Sequence, residues 1–282
     1  MDTPLDAHAE HYTAGDLDAA VAAALAAPAP DDTALALAAL AEIDQFHTGG
    51  AEATRALAER AAISAADRVL DVGGGLGGPA RLLAHERGCQ VTVLDLTEAY
   101  CRAGERLSAW AGLADRVRFR HGDALALPFD AGSFDVVWTQ HSSMNIADKP
   151  RLYAELARVL RPGGRLALFE VVAGSGEPLH FPVLWARSPA TSFLVTPELL
   201  RATLAEAGFE ERSWQDVSDW ALAWLNERQR VLAEPGRAAR PGGLSLVLGP
   251  EFRTLAQNHG RNLREGRTRI VEAVFERREA TS

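Results

Sequence analysis

From residue 68 onward the chain alternates short apolar runs with longer stretches of helical period. Arg68 to Val72 and Gln90 to Asp95 read as strands, with a helix from about Leu76 to Arg87 between them. Thr97 caps a helix to about Ala111, Arg116 to Arg120 is a third strand and Phe134 to Thr139 a fourth. A helix over 148–160 follows, and Pro162-Gly163-Gly164 turns into a fifth strand, Arg165 to Val172. The spacing then predicts a helix from Pro197 to Ala207, stopped by Gly208, and a strand from Phe209 to Val217. Asp219 to Leu232 is helical, 234–250 loop-like, Glu251 to Arg264 helical and Arg269 to Glu276 a last strand. Strands that alternate with helices imply right-handed crossovers and a largely parallel sheet, the α/β class.

Two regions break this rhythm. The first 60 or so residues are helical: Asp16 caps 17–27, Asp31 or Asp32 caps Thr33 to about Phe46, and a third helix runs from Ala51 to Ala62. The segment 173–196 has no clean period and holds Pro178, Pro182 and Pro189. Long irregular connections inside compact domains are commonly binding loops. The expected organisation is a helical cap over 1–60 and an α/β domain over 61–282, with a substrate insertion near 173–196.

Composition narrows the classes. The 282 residues carry 38 acidic and 29 basic side chains, a formal charge of −9, which argues against a nucleic-acid partner. No apolar run approaches the roughly 18 residues of a membrane span. The Ala-rich stretch from Leu17 lacks a basic flank, so it makes a poor signal peptide. Cys89 and Cys101 are the only cysteines, too few for a disulfide framework, and a cytoplasmic location is expected. His8 and His11 lie one helical turn apart without a third ligand, so no metal is expected. Lys149 is the only lysine.

The chemistry concentrates in Val69-Leu-Asp-Val-Gly-Gly-Gly-Leu-Gly-Gly78. Gly73, Gly75 and Gly77 form a G-x-G-x-G loop between a strand and a helix, where glycine permits the turn and lets a ligand approach the backbone. Asp71 closes the strand before them. Asp95 ends the second strand, where a carboxylate can take ribose hydroxyls. Gly122-Asp123-Ala124 follows the third. A nicotinamide dehydrogenase is the rival: its G-x-G-x-x-G needs a glycine one place later, which Gly78 supplies. The carboxylates Asp71, Asp95 and Asp123 favour a cationic, diol-bearing ligand over a diphosphate.

These motifs, with Leu160-Arg-Pro-Gly-Gly164, resemble those of class I S-adenosylmethionine-dependent methyltransferases over roughly residues 50–282. The resemblance implies a seven-stranded Rossmann-like sheet of order 3-2-1-4-5-7-6, helices on both faces, the last strand antiparallel and an N-terminal helical lid. It implies S-adenosyl-L-methionine as cofactor, spent to S-adenosyl-L-homocysteine. Gly73 and Gly75 would pack on its methionyl part with Asp71 beneath, Asp95 would take the ribose, and Leu96 would pack on adenine. Asp123 and Ala124 would hold the adenine edge, and Gln140 and His141 would face the methionyl end and the substrate.

A narrower likeness lies in Asp44-Gln-Phe-His-Thr-Gly-Gly50 and Thr139-Gln-His-Ser-Ser-Met-Asn-Ile146, which are similar to the sarcosine and dimethylglycine N-methyltransferases. That group lies close to phosphoethanolamine and quinone-pathway methyltransferases. Asn145 stands where the phosphoethanolamine enzymes tend to have His, so their acid–base dyad is not expected. Tyr12 would fold over the site, and His47 would orient substrate or cofactor. Asn145, Trp185, Arg187 and Phe193 would line a substrate pocket, with aromatic rings for a cationic amine and Arg187 forking onto a carboxylate. Trp214, Trp220 and Trp224 are read as core.

The expected function is methyl transfer to a small molecule, with N-methylation of an amine such as sarcosine or dimethylglycine first. The alternatives are C- or O-methylation of a quinone or secondary metabolite, and cofactor binding without transfer. A phenol or carbon acid needs a base, for which His141 and His47 are the candidates.

Overall fold

The computed structural model describes residues 15–26, 28–232 and 244–279. Tyr12, His8 and His11 lie outside them. Seven strands form one sheet: β1 Arg68–Val72, β2 Gln90–Asp95, β3 Val117–His121, β4 Phe134–Gln140, β5 Leu160–Ala173, β6 Phe209–Asp216 and β7 Thr268–Arg277. Their order is β3-β2-β1-β4-β5-β7-β6, with β7 antiparallel to both its neighbours. The expected topology is therefore the observed one.

Adjacent residues of a strand point to opposite faces, and here both faces are buried. Val69, Val136, Trp138, Ala167 and Phe169 enter one apolar layer. Leu70, Val72, Val137, Leu166 and Leu168 enter the other. This is why the strands read as near-continuous apolar runs. Three N-terminal helices, α1 Leu17–Ala24, α2 Thr33–Asp44 and α3 Gly50–Arg60, supply residues to the first layer. So do α4 Gly78–Arg87 and α5 Glu98–Trp110. The second layer is covered by α6 Lys149–Val159 and α7 Pro197–Glu206. The chain ends with α8 Ser218–Leu232, α9 Leu244–Leu248, α10 Phe252–Arg264 and β7.

The caps explain the helix starts. Asp16, Asp32 and Asp148 accept the backbone N–H of Ala19, Ala34 and Arg151, so Asp32 rather than Asp31 caps α2. Thr97 stands at the N-cap of α5, but its side chain makes no cap bond; its own N–H is held by Asp95 Oδ1.

Three expectations need correction. The stretch read as loop over 234–250 contains α9, whose Val247 and Leu248 are buried; the preceding Pro241-Gly242-Gly243 hid a short apolar turn. β5 starts at Leu160, pairing with Phe134, and shifts register across the Pro-Gly-Gly turn before resuming at Arg165. Helix α2 ends at Asp44 and not near Phe46, which frees Phe46 and His47 to turn toward the sheet edge.

One buried ion pair fixes that turn. Arg81, fully buried on α4, donates to Asp44 Oδ2 at 2.7 Å and to Ser108 Oγ at 2.9 Å. The N-terminal helices are thereby tied to the helix that follows the glycine loop.

Candidate active site

A cavity of about 450 Å³ opens at the carboxyl ends of β1, β2, β3 and β4, the edge where ligands bind in open α/β sheets. Its first end is built from strand tips. Gly73 and Gly75 line it in left-handed conformations, φ 72° and 56°. A Cβ on Gly75 would lie 3.0 Å from the Phe46 ring, and one on Gly74 2.5 Å from the Asp71 carboxylate. Asp95 Oδ2 accepts the Gly75 N–H at 2.9 Å and Oδ1 that of Thr97 at 2.8 Å. Asp123 Oδ1 accepts the Leu125 N–H at 2.8 Å. Leu96, Gly122, Ala124 and Gln140 complete this wall, with Phe46 stacked on Tyr100 at 5.9 Å. Asp71 and Gly77 stand behind it. Asp71 sits beneath the loop, and Gly77 lets Phe119 pack close.

The electrostatics of this end ask for a cation. Burial, and next the charge of Asp95, push the Asp71 carboxyl up to about 7. Its Oδ2 is buried without a hydrogen-bond partner. Burial also raises Asp95, against the pull of the Thr97 and Gly75 N–H groups. Among the described residues no lysine or arginine lines the cavity, so no cationic side chain there would pair a diphosphate. A cationic ligand with a diol fits these residues.

The second end collects three imidazoles. His141 follows β4 with φ 50°, a left-handed conformation that a non-glycine side chain adopts at some cost. Its N–H bonds the Phe169 carbonyl at 2.8 Å and its ring stacks on Phe169 at 5.3 Å. His47 and His259 approach it edge-on, at 6.3 and 6.4 Å between ring centroids. Burial is the first cause in all three: it takes His47 and His259 down to about 4 and His141 well below the usual imidazole range. The neighbouring His47 and His259 lower His141 further. All three are neutral at pH 7.

His47 Nε2 lies 2.9 Å from the Gly50 carbonyl and 3.2 Å from Thr54 Oγ1, behind the cavity wall. Thr54 Oγ1 and Trp138 Nε1 both donate to Gln140 Oε1, at 3.2 and 3.0 Å, which fixes the direction of the Gln140 amide. His259 Nε2 meets Thr48 Oγ1 at 3.0 Å. His141 Nε2 and His259 Nδ1 are buried without a partner, and both residues line the cavity.

The remaining wall is apolar. Met144 and Ile146 come from the turn after β4, Leu184, Trp185 and Phe193 from the insertion, and Leu248 from α9. Asn145 Nδ2 donates to the Trp185 carbonyl at 2.7 Å, and Trp185 Nε1 to Ser192 Oγ at 2.9 Å. Asn145, Trp185 and Phe193 thus line the cavity as expected. Arg187 does not: it is half exposed and pairs with Glu251 outside the cavity. Phe46, Tyr100, Met144, Leu248 and His259 were not among the residues expected from sequence. His259 carried no signal, because a single histidine in Gln257-Asn-His-Gly-Arg-Asn262 marks a polar helix and no motif. Among the described residues no group of three or more His, Cys, Asp or Glu forms a metal site.

The family described as "Methyltransferase domain" matches residues 70–168. The chain is 35% identical to the 27-O-demethylrifamycin SV methyltransferase of Amycolatopsis mediterranei over 64% of this chain and 69% of that one. It is 29% identical to the glycine/sarcosine/dimethylglycine N-methyltransferase of Actinopolyspora halophila over 78% of this chain, but spans only 38% of that relative. Among solved structures, that of the cyclase SpnF shares the fold over 99% of this chain and 97% of its own, with TM-score 0.70 and 23% identity.

Proposed function

The chain belongs to the class I S-adenosylmethionine-dependent methyltransferases, and from that premise we propose that it O-methylates a hydroxyl of a small, largely apolar molecule. In this reading the cofactor end takes S-adenosylmethionine with the glycines at the methionyl part, Asp95 at the ribose hydroxyls and Asp123 at the adenine edge, residues that all line the cavity. The sulfonium supplies the methyl group. Everything else is left to this chain: it must orient the acceptor in line, exclude water and take a proton.

The observation that carries the hydroxyl reading is the acceptor wall. It holds two neutral imidazoles with unpartnered nitrogens, His141 Nε2 and His259 Nδ1, among Met144, Leu184, Trp185, Phe193 and Leu248. A hydroxyl acceptor has a proton to give up as it is methylated, and a neutral imidazole whose free nitrogen turns toward the cavity can receive it. His141 is nearest the strand tip that faces the methionyl end, so it takes the role of base. His259 is the second acceptor.

The amine reading has less to rest on. A small amino acid brings a carboxylate, and its expected partner Arg187 is committed to Glu251 outside the cavity. The only lysine, Lys149, is held by main-chain carbonyls. The relatives include O-, N- and C-methyltransferases by name, and the acceptor wall is what supports the hydroxyl reading among them. Phenols, apolar alcohols, sarcosine and dimethylglycine should be offered with labelled cofactor. Transfer to hydroxyl acceptors, and none to the amines, is expected; methylation of sarcosine alone would overturn the reading.

A further inference from the structure

Lys149 is the one lysine of the chain, and it is buried at the start of α6. Its Nζ donates to the carbonyls of Ser143, Ile146 and Phe193, the first and last at 2.8 Å. An ammonium has three N–H donors and no acceptor, so three carbonyls satisfy it fully. Two of them belong to the turn that follows His141. The third belongs to the insertion, whose Phe193 N–H returns a bond to the Met144 carbonyl at 2.8 Å.

Glu170 of β5 grips the same turn from the other side, taking the Ser143 N–H at 3.2 Å. Ser143 is therefore held by its N–H through an acid and by its carbonyl through a base. Burial draws the Lys149 amine down to about 8, with Glu170 opposing. Tyr153, one turn along α6, is kept as a neutral phenol by burial. Burying a charge without partners costs far more than burying a methionine of similar length. The three carbonyls are what this ammonium is there to join.

We propose that Lys149 is a positioning residue for the methyl acceptor: its ammonium staples the turn carrying Met144 and Asn145 to the Phe193 segment, and so holds the acceptor wall in place. This rests on the reading that the apolar end of the cavity takes the acceptor. None of the three carbonyls that Lys149 joins belongs to the glycine loop or to Asp95, so its loss should leave the cofactor end intact.

Three measurements test it without an identified acceptor. In Lys149→Met, amide exchange over 183–195 should rise roughly 10- to 100-fold, the loss of bonds to a charged group, with residues 69–78 and 90–97 unchanged. Titration with S-adenosylhomocysteine should give an affinity within about twofold of wild type. In the wild type, an amine-reactive ester should acylate Nζ roughly 10- to 100-fold more slowly than free lysine, because three bonds must open first. A single lysine makes that product unambiguous by peptide mass. Unchanged exchange over 183–195 in the variant overturns the proposal. So does fast acylation of wild type with the 183–195 protection retained, a result available even if the variant fails to fold. With an acceptor from the hydroxyl panel, KM should rise about tenfold or more and kcat change less. A panel inert with wild type would fault the hydroxyl reading while the exchange and acylation results still decide the staple.

Discussion

At the end of the cavity assigned to the cofactor the lining groups come from glycine main chain, from carboxylates at or two residues past a strand end, Asp95 and Asp123, and from their neighbours Leu96 and Ala124. At the acceptor end they come from side chains of four elements remote in sequence: Met144 after β4, Trp185 and Phe193 in the insertion, Leu248 on α9 and His259 on α10. The first end needs short spacings, because a strand tip, a glycine turn and a helix N-terminus must follow one another. The second needs only that side chains of suitable shape meet once the helices have packed. One end is therefore constrained locally, and the other is free to change acceptor without disturbing the sheet.

The largest effect that would break this comparison falls at the acceptor end. His141→Gln keeps a hydrogen-bonding side chain but cannot hold the proton of a hydroxyl acceptor. Single-turnover transfer to a phenol should fall about 10²–10⁴-fold, while affinity for S-adenosylhomocysteine stays near wild type. An intact rate with an unchanged pH profile would remove His141 from the chemistry. His259→Gln should cost less, since His259 Nε2 already serves Thr48.

Next comes the tie between the N-terminal helices and α4. Asp44→Ala would leave Arg81 buried and unpaired on α4, at a cost of about 3–5 kcal/mol. Replacing both, Asp44→Leu with Arg81→Met, should recover most of that loss, because the buried charge goes with its partner. Urea unfolding of the three proteins checks it. A single variant as stable as wild type would mean that the pair does not tie the N-terminal helices to the fold.

These two effects also show what was legible. The strands and Gly73, Gly75, Asp95 and Asp123 were readable because each is tied to a local pattern: an apolar run, a glycine turn, a carboxylate at a strand end; the sheet order followed only from the family resemblance. Asn145, Trp185 and Phe193 were reachable from the irregular segment and the stretch after β4. His259, Leu248 and Phe46 were not. Each sits on or beside a helix whose burial depends on partners far away, and none carries a spacing of its own. Arg187 misled for the same reason: its position in the insertion says nothing of its direction, and Glu251, 64 residues on, takes it. Lys149 stood out in the sequence as the one lysine; that three carbonyls converge on it is a tertiary fact.

A smaller effect sharpens the cofactor end. Asp95→Ala should weaken S-adenosylmethionine binding by roughly 10- to 150-fold, the loss of two hydroxyl bonds to a carboxylate. Asp123→Asn should cost less, because the amide keeps one acceptor. Titration calorimetry would read both, and an unchanged Kd for Asp95→Ala would withdraw the ribose assignment.

The smallest effect separates charge from shape at that same end. The Asp71 carboxyl lies at about 7 in the fold, above its ordinary value of 3.8. The folded chain therefore holds an extra proton between those values. The stability this gives is fully present below the lower one and is lost as pH rises through 7. A sulfonium bound over the loop favours the ionised carboxyl, so S-adenosylmethionine should bind more tightly as pH climbs through 7. S-adenosylhomocysteine has no such charge and should show no parallel gain. The expected difference is roughly threefold to tenfold in the ratio of the two affinities, an interaction on the order of 1 kcal/mol. Comparing the two ligands at about pH 6 and about pH 8 cancels what they share, including the acid-side cost of charging His47, His141 and His259. Asp71→Asn should flatten the ratio. A ratio that rises equally in the variant would place the titrating charge elsewhere, with Asp95 the next candidate. A ratio that never moves would mean that the loop recognises the methionyl part by shape alone.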